Sequence, residues 1–143
     1  MDKSKFTTQP FTQKIEKPWG FELLFSPEDF PVTCKILHVN AGARFSLQYH
    51  DQKEEVLTLL SGDALLYLED ENGAVQKIKM VPRQGYAIHK LQKHRCQGVT
   101  DCEILDCSTP EVGTTFRLED DYGRGTETEA IRKTRRKKGV YTG

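Results

Sequence analysis

Between Phe21 and Ser108 apolar residues fall in short runs separated by turn-forming clusters, the pattern of many short strands. The runs predict strands over Phe21–Phe25, Val32–Asn40, Arg44–Tyr49, Val56–Leu60, Ala64–Leu68, Val75–Val81, Tyr86–His89, Arg95–Val99 and Glu103–Ser108, several with visible apolar/polar alternation. Asn72-Gly73 sits between two of these runs and supplies the positive φ angles of a tight turn, which predicts a hairpin there. No stretch in this region has the length and 3.6-residue period of a substantial helix. The strands must therefore bury their apolar faces against another sheet, and the fold class is all-β, a sandwich or barrel.

Residues 1–18 are polar, contain Pro10 and Pro18, and read as an N-terminal arm that runs along the surface or docks on a partner. The barrel is expected over residues 19–124. Residues 125–143 turn polar and then basic, with Arg132, Lys133, Arg135, Arg136, Lys137 and Lys138 close together, so a short helix or a frayed tail is expected. A chain of 143 residues suits one domain with a core of its own.

Charge and cysteine content remove several function classes. Lys+Arg and Asp+Glu number 21 each, so the molecule has no long-range field toward nucleic acid or an anionic membrane. The basic tail lacks interleaved aromatics for base stacking and is partly offset by Glu127 and Glu129, so nucleic-acid binding is not expected. No apolar run approaches the roughly 20 residues of a membrane helix, and the opening MDKSKFTTQPF lacks a secretory apolar stretch, so a cytoplasmic location is expected. Cys34, Cys96, Cys102 and Cys107 form no C-x-x-C pair and read as reduced, mostly core thiols. His38, in an apolar strand, reads as a packed residue.

The chemistry concentrates in Gly42-Ala43-Arg44-Phe45-Ser46-Leu47-Gln48-Tyr49-His50-Asp51-Gln52-Lys53-Glu54-Glu55, followed after six residues by Gly62. Residues two apart on a strand share a face, so Gln48 and His50 point together toward the interior. Glu55 opens the next strand after a polar turn and can face the same point. His94, opening a later strand, can complete a set of nitrogen and oxygen donors for one divalent metal, with room left for water or substrate.

The spacing Gly42, five residues, Gln48-x-His50, four residues, Glu55, six residues, Gly62 resembles the first motif of the cupin superfamily. With Gln48 in place of the usual leading His, it resembles in particular the cupin domain of type II mannose-6-phosphate isomerases, where Gln, His, Glu and His bind zinc. Lys17-Pro18-Trp19-Gly20 resembles that family's entry into the barrel, and Arg117-Leu118-Glu119-Asp120-Asp121-Tyr122-Gly123-Arg124 its closing signature; together they bracket about three quarters of the chain. The second cupin motif survives only as His94. After His50, where the isomerases carry further histidines and an arginine, this chain has Asp51-Gln52-Lys53.

The resemblance implies a single-domain jelly-roll barrel, one divalent ion (zinc first, with Fe, Mn, Ni or Co as alternatives), and a small-molecule sugar phosphate as substrate. It also implies interconversion of mannose 6-phosphate and fructose 6-phosphate. That reaction needs a base to carry the proton between adjacent carbons and cations for the phosphate. His89 reads first as a surface histidine in a loop rather than a proton-transfer residue or substitute ligand; among the candidate bases it ranks ahead of Glu54, Asp51 and Lys90 because imidazole titrates nearest neutrality. Arg44, Lys53, Lys90, Arg95 and Arg124 are the phosphate candidates, Arg124 with support from the closing signature. Two other readings remain open: a metal-containing carbohydrate-binding or regulatory barrel without turnover, and a non-haem iron oxygenase using His50, Glu55 and His94. Exposed strand edges suggest a homodimer.

Overall fold

The computed structural model describes residues 1–137 of the chain. Eleven strands run β1 Gln13–Lys17, β2 Gly20–Leu24, β3 Thr33–Val39, β4 Leu47–His50, β5 Glu55–Ser61, β6 Ala64–Glu69, β7 Val75–Lys79, β8 Gly85–Ile88, β9 His94–Gly98, β10 Cys102–Ser108 and β11 Thr115–Glu119. One helix follows, α1 Glu129–Lys137. The strands form two sheets, one ordered β1-β2-β3-β10-β5-β8 and the other β11-β4-β9-β6-β7. Every pairing is antiparallel.

The alternation along the strands divides the interior into two halves. On β3 the inward positions are Lys35, Leu37 and Val39; on β10 they are Cys102, Ile104, Asp106 and Ser108; on β5 they are Glu55, Leu57 and Leu59. Each strand thus runs from apolar to polar toward the same end. The apolar half is closed by Trp19, Leu59, Leu66, Ile88 and Ile104, all nearly fully buried, with Trp19 tilted against Phe45 at 5.9 Å between ring centres. Burial of such side chains is worth about 1.5–3 kcal/mol each before entropy is counted, so this half holds the sheets together. The polar half is free to carry chemistry.

Several boundaries differ from the sequence expectation. Gln13–Lys17, expected within an arm, pairs with β2 as an edge strand, with Ile15 and Lys17 buried. β11 lies in the closing signature and pairs with β4. Arg44 makes only an isolated bridge to Gln97, so the strand predicted from Arg44 begins at Leu47. The Asn-Gly hairpin joins β6 to β7, but only Gly73 takes a positive φ, of 81°. Asp70 replaces the second positive φ as organiser: its Oδ1 accepts from Asn72 N and Ala74 N at 2.9 and 3.0 Å. α1 is capped by Thr128, whose Oγ1 accepts from Ile131 N at 3.2 Å. Arg132, expected in a solvated basic run, is 6% exposed and packs back on the barrel. Lys138 lies outside the described residues. His38 is half-buried and stacks on Phe21, 4.6 Å between ring centres. Among the described residues no helix is long and apolar enough to cross a membrane.

The two motif glycines answer different needs. Gly62 has φ 76°, and a Cβ there would stand 2.2 Å from Asp101 O and 2.9 Å from the Cys102 side chain. Gly42 has φ 79° but open space around the same position. Gly42→Ala is therefore expected to cost about 1 kcal/mol from the left-handed backbone alone. Gly62→Ala adds a backbone collision and should cost about 3 kcal/mol or more, as read by urea denaturation. Equal losses would show that the close approach at Gly62 does not matter.

Candidate metal centre

β4, β5 and β9 bring the donors together. His50 ends β4, Glu55 opens β5, and Gln48 stands directly opposite His94 in the β4–β9 register. His50, Glu55 and His94 are all buried, and a ligand atom from each lies within 4.8 Å of the others. Glu55 Oε1 is 3.3 Å from His94 Nε2, and Oε2 is 3.8 Å from His50 Nε2. Gln48 lines the same cavity as His50 and Glu55. Its Oε1 accepts from Ser46 Oγ at 2.6 Å, which leaves one lone pair on that oxygen.

The outer nitrogens of the imidazoles are held so that the inner ones face the site. His94 Nδ1 lies 2.9 Å from Gln92 O, which can only accept, so Nδ1 carries a proton and Nε2 is the ring nitrogen turned toward the site. His50 Nδ1 lies 2.9 Å from Thr115 Oγ1, and Arg132 Nη2 donates to that hydroxyl at 3.4 Å. His50 Nε2, Glu55 Oε2 and His94 Nε2 are buried and make no hydrogen bond. Two buried imidazole nitrogens without hydrogen bonds, His50 Nε2 and His94 Nε2, face the Glu55 carboxylate, which Lys53 also pairs at Oε2, and such a set suits a divalent cation with mixed nitrogen and oxygen ligands. The residues fit the ion that the motif implies.

Electrostatics favour the ligating forms. Burial, then the charge of Lys53, pushes His50 down to about 3, so its ring is neutral across the neutral range, as ligation requires. Burial works against charge on Glu55, yet Lys53 and the two imidazoles hold its carboxyl well below the usual range. Lys53, considered above as a phosphate contact, in fact points into the barrel, with Nζ 3.1 Å from Glu55 Oε2 and 3.3 Å from Glu111 Oε1. Glu111 Oε1 also receives Lys35 Nζ at 2.7 Å, and Lys35 reaches Glu22 at 3.2 Å. A chain of alternating buried charges therefore runs from Glu55 through Lys53, Glu111 and Lys35 to Glu22.

Asp106 belongs to this chain but lacks a direct partner at Oδ1. Burial, with Glu55 and Glu111 nearby, pushes its carboxyl up to about 7. A carboxyl whose folded value is raised holds its proton where the unfolded chain has lost it, so its contribution is present below about pH 4 and lost as pH rises through 7. Asp106→Asn in metal-free protein should therefore raise stability more at pH 8 than at pH 5. Urea melts at the two pH values check this; a pH-independent difference would refute it.

The other sequence candidates are not gathered at the centre. His89 and Glu54 pair with each other at 3.0 Å on the outer face, their side chains 76% and 45% exposed. The reason is parity, because Glu55 and Ile88 take the inward positions next to them. Asp51 accepts from Thr114 N at 2.7 Å and so holds a loop. Arg44 pairs with Asp121 at 2.7 Å, Arg95 with Glu119 at 3.2 Å and Arg124 with Asp120 at 3.0 Å; Lys90 is exposed in the turn between β8 and β9. Sequence reading missed Lys35, Asp106, Glu111 and Arg132. For Lys35 and Asp106 a signal existed: each is a charge at the inward parity of an otherwise apolar strand.

The cavity beside the ligands holds ≈ 30 Å³, about one water's share of liquid volume. A larger hollow of ≈ 470 Å³ borders it and shares Glu22, Lys35, Glu111 and Val112 as a common wall, with Phe11 and Phe30 on its outer side. That size lies in the range of small-molecule sites.

No protein-family model matches the chain, and no curated protein matches it. Solved structures do. KdgF from Halomonas sp. is 16% identical, with TM-score 0.58 over 71% of this chain and 86% of that one. A Bacillus subtilis oxalate decarboxylase is 17% identical, with TM-score 0.65 over 80% of this chain and 33% of that one. Pac13, a nucleoside dehydratase, is 12% identical, with TM-score 0.59 over 73% and 83%. This chain thus spans about a third of the decarboxylase. Likeness at such low identity establishes the fold alone, an all-β jelly roll of the cupin type.

Proposed function

We propose that the protein is a metal-dependent enzyme acting on a small oxygen-rich substrate, with aldose–ketose interconversion of a sugar phosphate as its specific reaction. The observation that carries this reading is the buried set of His50, Glu55 and His94, with a ligand atom from each within 4.8 Å of the others and no hydrogen bond at either imidazole Nε2. A divalent ion held there by these residues and Gln48 would supply Lewis-acid polarisation of a substrate oxygen. The chain's own part is to keep His50 neutral and Glu55 ionised, to orient both rings through Thr115 and Gln92 O, and to exclude bulk water. The adjoining hollow suits the body of a substrate whose reactive end meets the small cavity. The isomerase form rests on the motif around Gln48 and His50, and an enzymatic role is consistent with a decarboxylase and a dehydratase sharing the fold.

A second reading, a binding or regulatory barrel without turnover, is favoured by the outward position of His89 and Glu54, which leaves the expected base off the site. The two separate in one experiment. Zinc-, manganese- or iron-loaded protein is incubated with mannose 6-phosphate or fructose 6-phosphate in D2O and followed by NMR. Isomerase activity places deuterium on the carbon that receives the proton. Tight binding by calorimetry with no exchange and no new sugar supports the binding module and ends the isomerase reading. Substrate-dependent oxygen uptake by the iron form would instead indicate an oxygenase.

A further inference from the structure

The sequence expectation of mostly core thiols holds for Cys96 and Cys102, which are buried, but not for Cys34 and Cys107. Cys107 is exposed and Cys34 half-buried, both on the outer face of the six-stranded sheet, because Lys35 and Asp106 take the adjacent inward positions. The two cysteines are direct partners in the antiparallel β3–β10 register. Directly opposed residues in such a pair have Cα atoms about 4.5–5.5 Å apart, inside the range of about 4.4–6.8 Å that a disulfide spans. Both line an open, largely apolar groove of ≈ 510 Å³, with Val32, Val56 and His89 around them.

We propose that Cys34 and Cys107 form a redox modification site that closes to a cross-strand disulfide by exchange with a low-molecular-weight disulfide such as oxidised glutathione. Cys107, the more accessible sulfur, loses its proton and attacks the small disulfide, forming a mixed disulfide and expelling one small thiolate. Cys34 then loses its proton and attacks the Cys107 sulfur, expelling the second. The two protein protons end on the two small thiols, so the protein dithiol is oxidised and the small disulfide is reduced. Burial, and then the neighbouring Cys34, raises the Cys107 thiol above its usual value, so the exchange is slow at neutrality and quickens as more thiolate forms. Register already places the two residues directly opposite one another, within the span a disulfide bridges.

The test uses the full chain, reduced, desalted and equilibrated with excess oxidised glutathione. Thiols counted in denaturant should fall from the four of the sequence to two, with peptide mapping linking Cys34 to Cys107. Cys34→Ser should stop at one glutathionyl adduct on Cys107, and Cys34→Ala, which adds no hydroxyl, should do the same. Wild type that keeps four free thiols, holds a stable adduct on Cys107, or pairs through Cys96 or Cys102 would overturn the proposal.

Discussion

Replacing His50 by alanine should strip the protein of its metal while leaving the barrel folded. His50, Glu55 and His94 are the three side chains placed to hold one ion, and removing His50 deletes one of the three donors. Loss of a mere supporting partner of a ligand already costs roughly 10–100-fold in affinity, so loss of the ligand itself should cost at least about 100-fold. Metal per chain after dialysis should fall from near one to a small fraction, and any turnover should go with it. The fold should persist, since the His50 side chain makes one hydrogen bond, to Thr115, and lies in the polar half rather than among the apolar side chains. Far-ultraviolet circular dichroism and atomic-emission metal analysis on wild type, His50→Ala and His89→Ala give the answer. His89→Ala should keep its metal, because His89 pairs with Glu54 outside the barrel. Stoichiometric metal in His50→Ala would contradict the ligand set.

Glu111→Gln should produce the largest stability loss of any single change in the charged half. Although burial disfavours its charge, Lys35 and Lys53 hold Glu111 well below the usual carboxylate range. Neutralising it leaves two buried ammonium groups sharing less negative charge; Lys53 keeps Glu55 at 3.1 Å and Lys35 keeps Glu22 at 3.2 Å. Breaking a buried pair by removing one partner costs about 3–5 kcal/mol, and the remaining partners place this case near 3. For a chain of this size such a loss lowers Tm by roughly 10 °C. Glu28→Gln, exposed at the surface, serves as the control and should change stability by less than about 0.5 kcal/mol. A Glu111→Gln variant that melts with the control would show that the charge chain does not support the fold.

Much of the site was legible because strand parity is local. Gln48 and His50 share a face by their spacing of two, and Glu55 faces the same interior because Asp51–Glu54 carries the chain from one sheet to the other. The same rule, applied one residue further, would have moved Glu54 and His89 to the outside, since each is the immediate neighbour of an inward residue. For His89 the outer position is the surface reading that its place in a loop suggests. Lys53 was legible as a cation near the motif but not as an interior one. Its burial depends on Glu111, which comes from a loop 58 residues away. Arg132 shows the same limit, since a basic run looks solvated until the β11 pairing brings Thr115 and Glu127 beneath it.

The sequence by itself determined the strand periodicity, the turns and the ligand spacing, because each depends on a few covalently linked residues whose geometry is set by the backbone. Only the tertiary structure decided which inward charges neutralise one another, that the C-terminal segment braces His50 through Arg132 and Thr115, and that Cys34 faces Cys107. Those relations join strands that are neighbours in a sheet but distant in the chain, and the register between them is fixed by the cooperative burial of both sheets rather than by any local preference.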